Sequence, residues 1–77
     1  MRRTEEATVK KNSSYAGKKV SELREELEKN LSLLLVAISR KEEHIFNPPP
    51  EMEIKEDDTL IVIGNIDSVI ELRKLLS

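Results

Sequence analysis

The apolar positions of this 77-residue chain repeat with two different periods, and the places where the period changes mark out its elements. Val20, Leu23, Leu27 and Leu31 are three or four residues apart, which predicts an amphipathic helix. Ser21 is its candidate N-cap, Glu25 and Lys29 form an i, i+4 pair, and Asn30 is the candidate stop. Leu31 to Ser39 is apolar at consecutive positions and runs into a charged tetrad, Arg40 to Glu43, before His44 to Asn47, a pattern that predicts a β-hairpin whose turn lacks glycine. Pro48, Pro49 and Pro50 cannot donate ladder hydrogen bonds and predict a stiff extended loop. Met52 and Ile54 alternate with Glu51, Glu53 and Lys55. Glu56 to Asp58 then turn the chain into a second strong strand, Thr59 to Ile63, ended by Gly64 and Asn65. Ile66, Val69, Ile70, Leu72, Leu75 and Leu76 form a second helical stripe, with Asp67 at its start and Arg73 and Lys74 near its end, as the helix dipole favours. Ahead of the first helix, Ala7 to Asn12 suits a short edge strand and Ser13, Ser14 and Gly17 mark a turn, while residues 1–6 read as a flexible lead-in or linker.

The resulting order, β-α-β-β-β-α, places residues 7–77 in the α+β class, as a small domain with a mostly antiparallel sheet and two helices on one face. Leu33 to Ile38 and Leu60 to Ile63 are apolar at every position, so both faces of those strands need cover. Two short helices on one side leave the other face as an apolar patch on the order of a few hundred Å². A second copy of the chain is the simplest cover, so the pattern predicts a homodimer; the rival is docking onto the rest of a longer chain.

Composition narrows the function classes. Hydrophobic residues make up 38% and charged residues 36%, which describes a folding, soluble chain, and the longest apolar run is far shorter than the roughly 20 residues a membrane helix needs, so direct membrane insertion is not expected. The absence of cysteine excludes disulfides and thiolate chemistry and suits a cytoplasmic setting. Residues 1–19 carry six Lys/Arg against two Glu, net +4, whereas residues 20–77 carry seven against thirteen, net −6. A body of that charge repels phosphate backbones, and Tyr15 and Phe46 alone give no stacking platform, so the charge pattern predicts no nucleic-acid partner. No cleft-forming pair of carboxylates and no partner for His44 in a catalytic triad can be read from the chain, so it is not expected to be an enzyme.

The segment YAGKKVSEL, followed by LLLVAISRKEEHIFNPPPEMEIKEDDTLIVIGN, resembles the C-terminal subdomain of RCK (regulator of potassium conductance) modules, the TrkA-C domains. Gly17, Lys18, Val20, Glu22 and Leu23 match the family's helix-opening segment. Ile38 and Arg40 match its Ile-x-Arg turn, Asn47 and Pro48 its Asn-Pro, and Asp57, Asp58, Leu60 to Ile63 and Gly64 its turn and closing strand. Asp57 stands where the family has a turn glycine, a mild departure because Asp tolerates positive φ. The resemblance implies a dimerising, ligand-sensing cytoplasmic module of a potassium channel, potassium uptake system or cation transporter, held at the inner face of the membrane by that transport partner. It also implies a cyclic di-AMP effector in a pocket at the dimer interface that involves the hairpin and the Asn-Pro region. A purely structural dimerisation or docking module with no small-molecule ligand is the alternative. No Gly-rich nucleotide loop is present, since the chain has just Gly17 and Gly64.

Within that frame Arg40, His44 and Asn47 offer a guanidinium, an imidazole and an amide to a phosphate and a base edge, and Pro48, Leu34 and Ile38 offer apolar walls. The competing reading leaves Arg40 in a surface ion pair with Glu42 or Glu43. Glu51, Glu53, Glu56, Asp57 and Asp58 present oxygen ligands, but their spacing is not that of a calcium loop, and a solvated acidic turn is the expectation. No metal site is expected.

Overall fold

The computed structural model describes residues 2–77. Four strands, β1 (Arg2–Thr8), β2 (Leu34–Arg40), β3 (Glu43–Phe46) and β4 (Thr59–Asn65), form one sheet in the order β1-β4-β2-β3. Every neighbouring pair is antiparallel. Helix α1 (Val20–Glu26) continues into a π-helical turn at Leu27–Leu31, and α2 (Ile66–Leu75) closes the chain.

The register assigns each strand residue to a face, because paired residues in an antiparallel ladder point to the same side and successive residues alternate. Ala7, Leu60, Ile38 and Ile45 form one cross-sheet row, and Glu5, Val62 and Leu35 the next. Leu35, Ile38, Leu60 and Val62 share a buried cluster with Val20, Leu23 and Leu27 of the first helix and Val69, Leu72 and Leu76 of the last. Both helices therefore lie on that inner face. The outer face carries Thr4, Ile63 and Leu34 in one row, then Glu6, Ile61, Ala37 and Phe46, then Thr8, Thr59, Ser39 and His44. The Thr8 and Thr59 hydroxyls confirm this last row by a 3.1 Å hydrogen bond.

The β-α-β-β-β-α order is as predicted, and several boundaries are not. The first strand spans Arg2–Thr8 rather than 7–12 and pairs along its whole length with β4. Its sequence, RRTEEAT, has no apolar alternation because an edge strand is held by backbone hydrogen bonds and carries charges that discourage further pairing. Residues 2–6 of the predicted lead-in are thus part of the sheet; Met1 lies outside the described residues.

Ser21 does not cap α1, which begins after Lys19 without a side-chain cap. The N–H groups of Val20 and Ser21 instead donate to the carbonyls of Met52 (2.8 Å) and Pro50 (3.1 Å). The proline loop therefore satisfies the helix start from outside. Asn30 does not end the helix either: its Nδ2 donates to Glu26, and the chain leaves the π turn at Ser32, which has φ 53°. The second strand consequently starts at Leu34, not Leu31.

Candidate functional site

The hairpin β2–β3, its proline extension and the turn before β4 bring the predicted site residues to four different places. Arg40, at the end of β2, donates through Nε (2.8 Å) and Nη2 (2.7 Å) to the Asp58 carboxylate, and Nη2 also reaches the Glu53 carbonyl at 2.9 Å. Asp58 is 1% exposed and takes a further 2.9 Å bond from the Lys55 N–H. The acidic turn is therefore not simply solvated, and the partner of Arg40 is Asp58 rather than Glu42 or Glu43. Sequence proximity pointed to the wrong carboxylates because the pairing spans 18 residues across the sheet. The Asp58 hydrogen bond pushes the guanidinium further above its already high ordinary value, against the opposing effect of burial. A hollow of about 330 Å³ opens beside this pair, lined by Arg40, Lys41, Lys55, Glu56, Asp57 and Asp58. Among the predicted ligand residues it holds Arg40 alone.

Leu34 and His44 reach the outer sheet face. Leu34 is 53% exposed, and His44 stacks on Phe46 with ring centroids 6.3 Å apart and planes 20° from parallel. Phe46, at 69% exposure, is the most exposed large apolar side chain among the described residues and was not among the predicted site residues. The strand alternation that puts it beside His44 on one face was its available signal. With Ile61 and Ile63, Leu34 and Phe46 make an apolar stripe that no helix covers. Ile38 belongs to the opposite face and is fully buried in the core, because a bulge between Leu35 and Ala37 shifts the register of β2. It is not brought together with the others.

Asn47 and Pro48 follow Phe46. Asn47 adopts φ 45°, a conformation Asn tolerates better than most residues, and its N–H extends the hairpin ladder to the Val36 carbonyl at 2.9 Å. Its side-chain oxygen accepts from Arg24 Nη2 at 3.0 Å, while Arg24 Nη1 donates to the Pro48 carbonyl at 2.9 Å. Pro48 is buried and so serves as a wall of the fold rather than an exposed surface. Arg24 is a second residue absent from the sequence-derived set; it sits between Leu23 and Leu27 on the rim of the apolar stripe of α1, a position that reaches a neighbouring loop.

The two positions without glycine at the predicted turns both adopt left-handed backbone: Asp57 has φ 71° and Lys41, in the two-residue hairpin loop, φ 57°. Among the described residues no group of three or more His, Asp or Glu is placed to hold a metal ion, and no helix is long and apolar enough to cross a membrane.

The family profile of the TrkA-C domain matches residues 4–77. The fold is similar to the RCK_C domain dimer of S. agalactiae BusR in complex with c-di-AMP, with a TM-score of 0.80, 23% identity, and 95% of this chain and 88% of that one covered. It is equally similar to S. agalactiae BusR in complex with its busAB-promotor DNA, again at a TM-score of 0.80 and 23% identity, covering 95% of this chain but 35% of that one. The RCK C domain of the potassium transport protein KtrA in complex with cyclic diadenosine monophosphate matches at a TM-score of 0.74 and 24% identity, over 92% of this chain and 81% of that one. No curated protein sequence matches the chain significantly. The expectation of no nucleic-acid partner does not stand, because two matched structures are promoter-DNA complexes. That expectation rested on the net charge of 58 residues and on the scarcity of aromatic rings, and both constrain only this segment's own surface. The matched region is about a third of the DNA-bound chain.

Proposed function

The chain belongs to the TrkA-C domain family, and from that membership we propose that it is a cytoplasmic ligand-sensing and dimerisation module that regulates a potassium channel, a potassium uptake system or another cation transporter. The proposed effector is cyclic di-AMP, held between two copies. One observation carries the reading: the outer sheet face exposes Leu34 and Phe46 beside the polar group of His44, and Asn47 follows Phe46 at the end of β3. Flat purine rings suit the apolar stripe, and phosphate oxygens suit hydrogen-bond donors at its edge. The c-di-AMP complexes of the BusR and KtrA domains, at 23% and 24% identity, support the choice of ligand. The proposed role is regulatory rather than catalytic.

The mechanism follows from thermodynamic linkage. A ligand seated between copies acts on a transport partner only if it binds one dimer geometry more tightly than another. Coupling of about 1 to 3 kcal/mol is the usual range for such regulation. The engagement of Arg40 by Asp58 favours a second reading, a dimerisation or docking module with no small-molecule ligand, because that cation is already committed within the chain.

Calorimetric titration with c-di-AMP, with the assembly state followed by light scattering, separates the two. Half an equivalent of ligand per chain, lost in Leu34→Glu together with the dimer, is the expected result. A dimer that gives no heat and no change in melting temperature at millimolar c-di-AMP overturns the ligand and leaves the structural module.

A further inference from the structure

We infer that Arg24 is a positioning residue: by holding the Asn47 side chain through its oxygen, it sets the polarity that the far end of β3, at the edge of the outer face, offers to a ligand. The inference rests on the reading of that face as a ligand site. Arginine has only donors, so the Asn47 atom 3.0 Å from Arg24 Nη2 has to be the carboxamide oxygen. A planar carboxamide fixed by its oxygen is fixed at its nitrogen too, which then points away from Arg24. Two further contacts hold the group in place. Arg24 Nη1 is tied to the Pro48 carbonyl at 2.9 Å, and the Asn47 N–H is tied to the Val36 carbonyl at 2.9 Å. An unheld asparagine presents either end by rotating about its last torsion; this one presents the Nδ2 donor.

The chemical consequence is selectivity for acceptors. A phosphate oxygen or an unprotonated ring nitrogen fits a pinned N–H donor, and an exocyclic amine does not. Arg24 holds two neutral oxygens, so its positive charge remains beside Asn47 and favours an anionic acceptor.

The test is a double-mutant cycle on the whole 77-residue chain, read by c-di-AMP titration. Asn47→Asp keeps an oxygen toward Arg24 and replaces the outward donor by an acceptor. It is expected to weaken binding about tenfold with no loss of melting temperature, the size of one well-made hydrogen bond. Arg24→Ala is expected to weaken binding about three- to tenfold in the native chain and clearly less in an Asn47→Ala background, where only its charge still acts. Equal weakening in both backgrounds overturns the positioning role and leaves Arg24 as general support. Nuclear relaxation of the Asn47 side-chain amide reads the clasp without ligand: it is expected to be rigid in the native chain and mobile in Arg24→Ala. An amide equally mobile in both overturns the clasp. A rigid amide in a native chain that binds no c-di-AMP overturns the ligand-facing half and the reading on which it rests, and leaves the clasp as a structural contact.

Discussion

Replacing Arg40 by alanine takes away the guanidinium that pairs with a carboxylate 1% exposed to solvent. Asp58 then keeps its bond from the Lys55 N–H but loses two charged hydrogen bonds of 2.8 and 2.7 Å, and Glu53 loses a donor to its carbonyl. Breaking a buried ion pair from one side costs roughly 3 to 5 kcal/mol. The Arg40 side chain is 25% exposed, so water reaches the site from its side, and the lower end of that range, about 3 kcal/mol, is expected. A domain of this size has a total stability of about 4 to 12 kcal/mol, so the variant stays folded at low temperature with a melting temperature lowered by about 12 to 24 °C. Asp58→Asn is the companion variant. It retains an acceptor for the Lys55 N–H and frees Arg40 to turn to water, at about 1 to 2 kcal/mol. Urea unfolding followed by circular dichroism, with unchanged m-values, measures both, and the double variant gives their coupling. A loss below about 1 kcal/mol for Arg40→Ala places the pair with ordinary surface ion pairs. That result refutes the structural commitment of Arg40 and returns it to the ligand site.

Two further outcomes are expected. In Gly64→Ala the new methyl meets the buried Leu33 side chain and lies 3.3 Å from the Ser32 carbonyl, so thermal melts should show about 1 to 3 kcal/mol of destabilisation; an unchanged melting temperature refutes the close approach of β4 to the end of the π turn. At high pH the native chain holds protons longer than the unfolded one: burial, then Glu26, raises the Tyr15 phenol above 10.0, and the hydrogen bond to Glu51 raises the Lys19 ammonium above 10.5. The unfolded chain therefore loses these protons first, and stability is full below about pH 10 and falls as the pH rises through the native values. Urea midpoints from pH 8 to 11.5 should decline above pH 10, less steeply in Tyr15→Phe, and a flat or rising profile refutes the assignment.

The fold was legible wherever apolar spacing carried it. Val20, Leu23 and Leu27 gave α1, and Val69, Leu72 and Leu76 gave α2, because a stripe that faces a core has to be apolar. The two doubly apolar strands disclosed a sheet with one face uncovered. What stayed hidden was held by backbone. The polar strand Arg2–Thr8 owes its place to a ladder with β4, and the start of α1 to carbonyls of the proline loop, neither of which leaves a side-chain signature. Ile38 was misplaced because a bulge changes the face of every residue after it, and no residue type marks a bulge reliably. Asp58 was misread because a buried, paired aspartate and a solvated one look alike in a run of acidic residues.

The arginine geometry also bears on where an anion would bind. Sequence reasoning gave that task to Arg40, whose charge is matched by the buried Asp58 carboxylate at 2.7 Å. Arg24, which no motif singled out, contacts only neutral oxygens in the bonds that hold the Asn47–Pro48 corner. Arg40 is thus matched within the chain, and Arg24 puts a guanidinium held by neutral oxygens at the far end of β3. Phe46 immediately precedes the Asn47–Pro48 corner on the edge strand β3, so an anion with an aromatic portion meets both requirements around one edge of the sheet. At the turn, Nε and Nη2 of Arg40 are taken by Asp58 and the Glu53 carbonyl, so an anion there meets only Nη1 of a guanidinium whose charge a buried carboxylate already matches. Ligand recognition on this fold is therefore best sought at the Phe46–Asn47 end of the hairpin, with Arg40 acting on it only by keeping the turn in place.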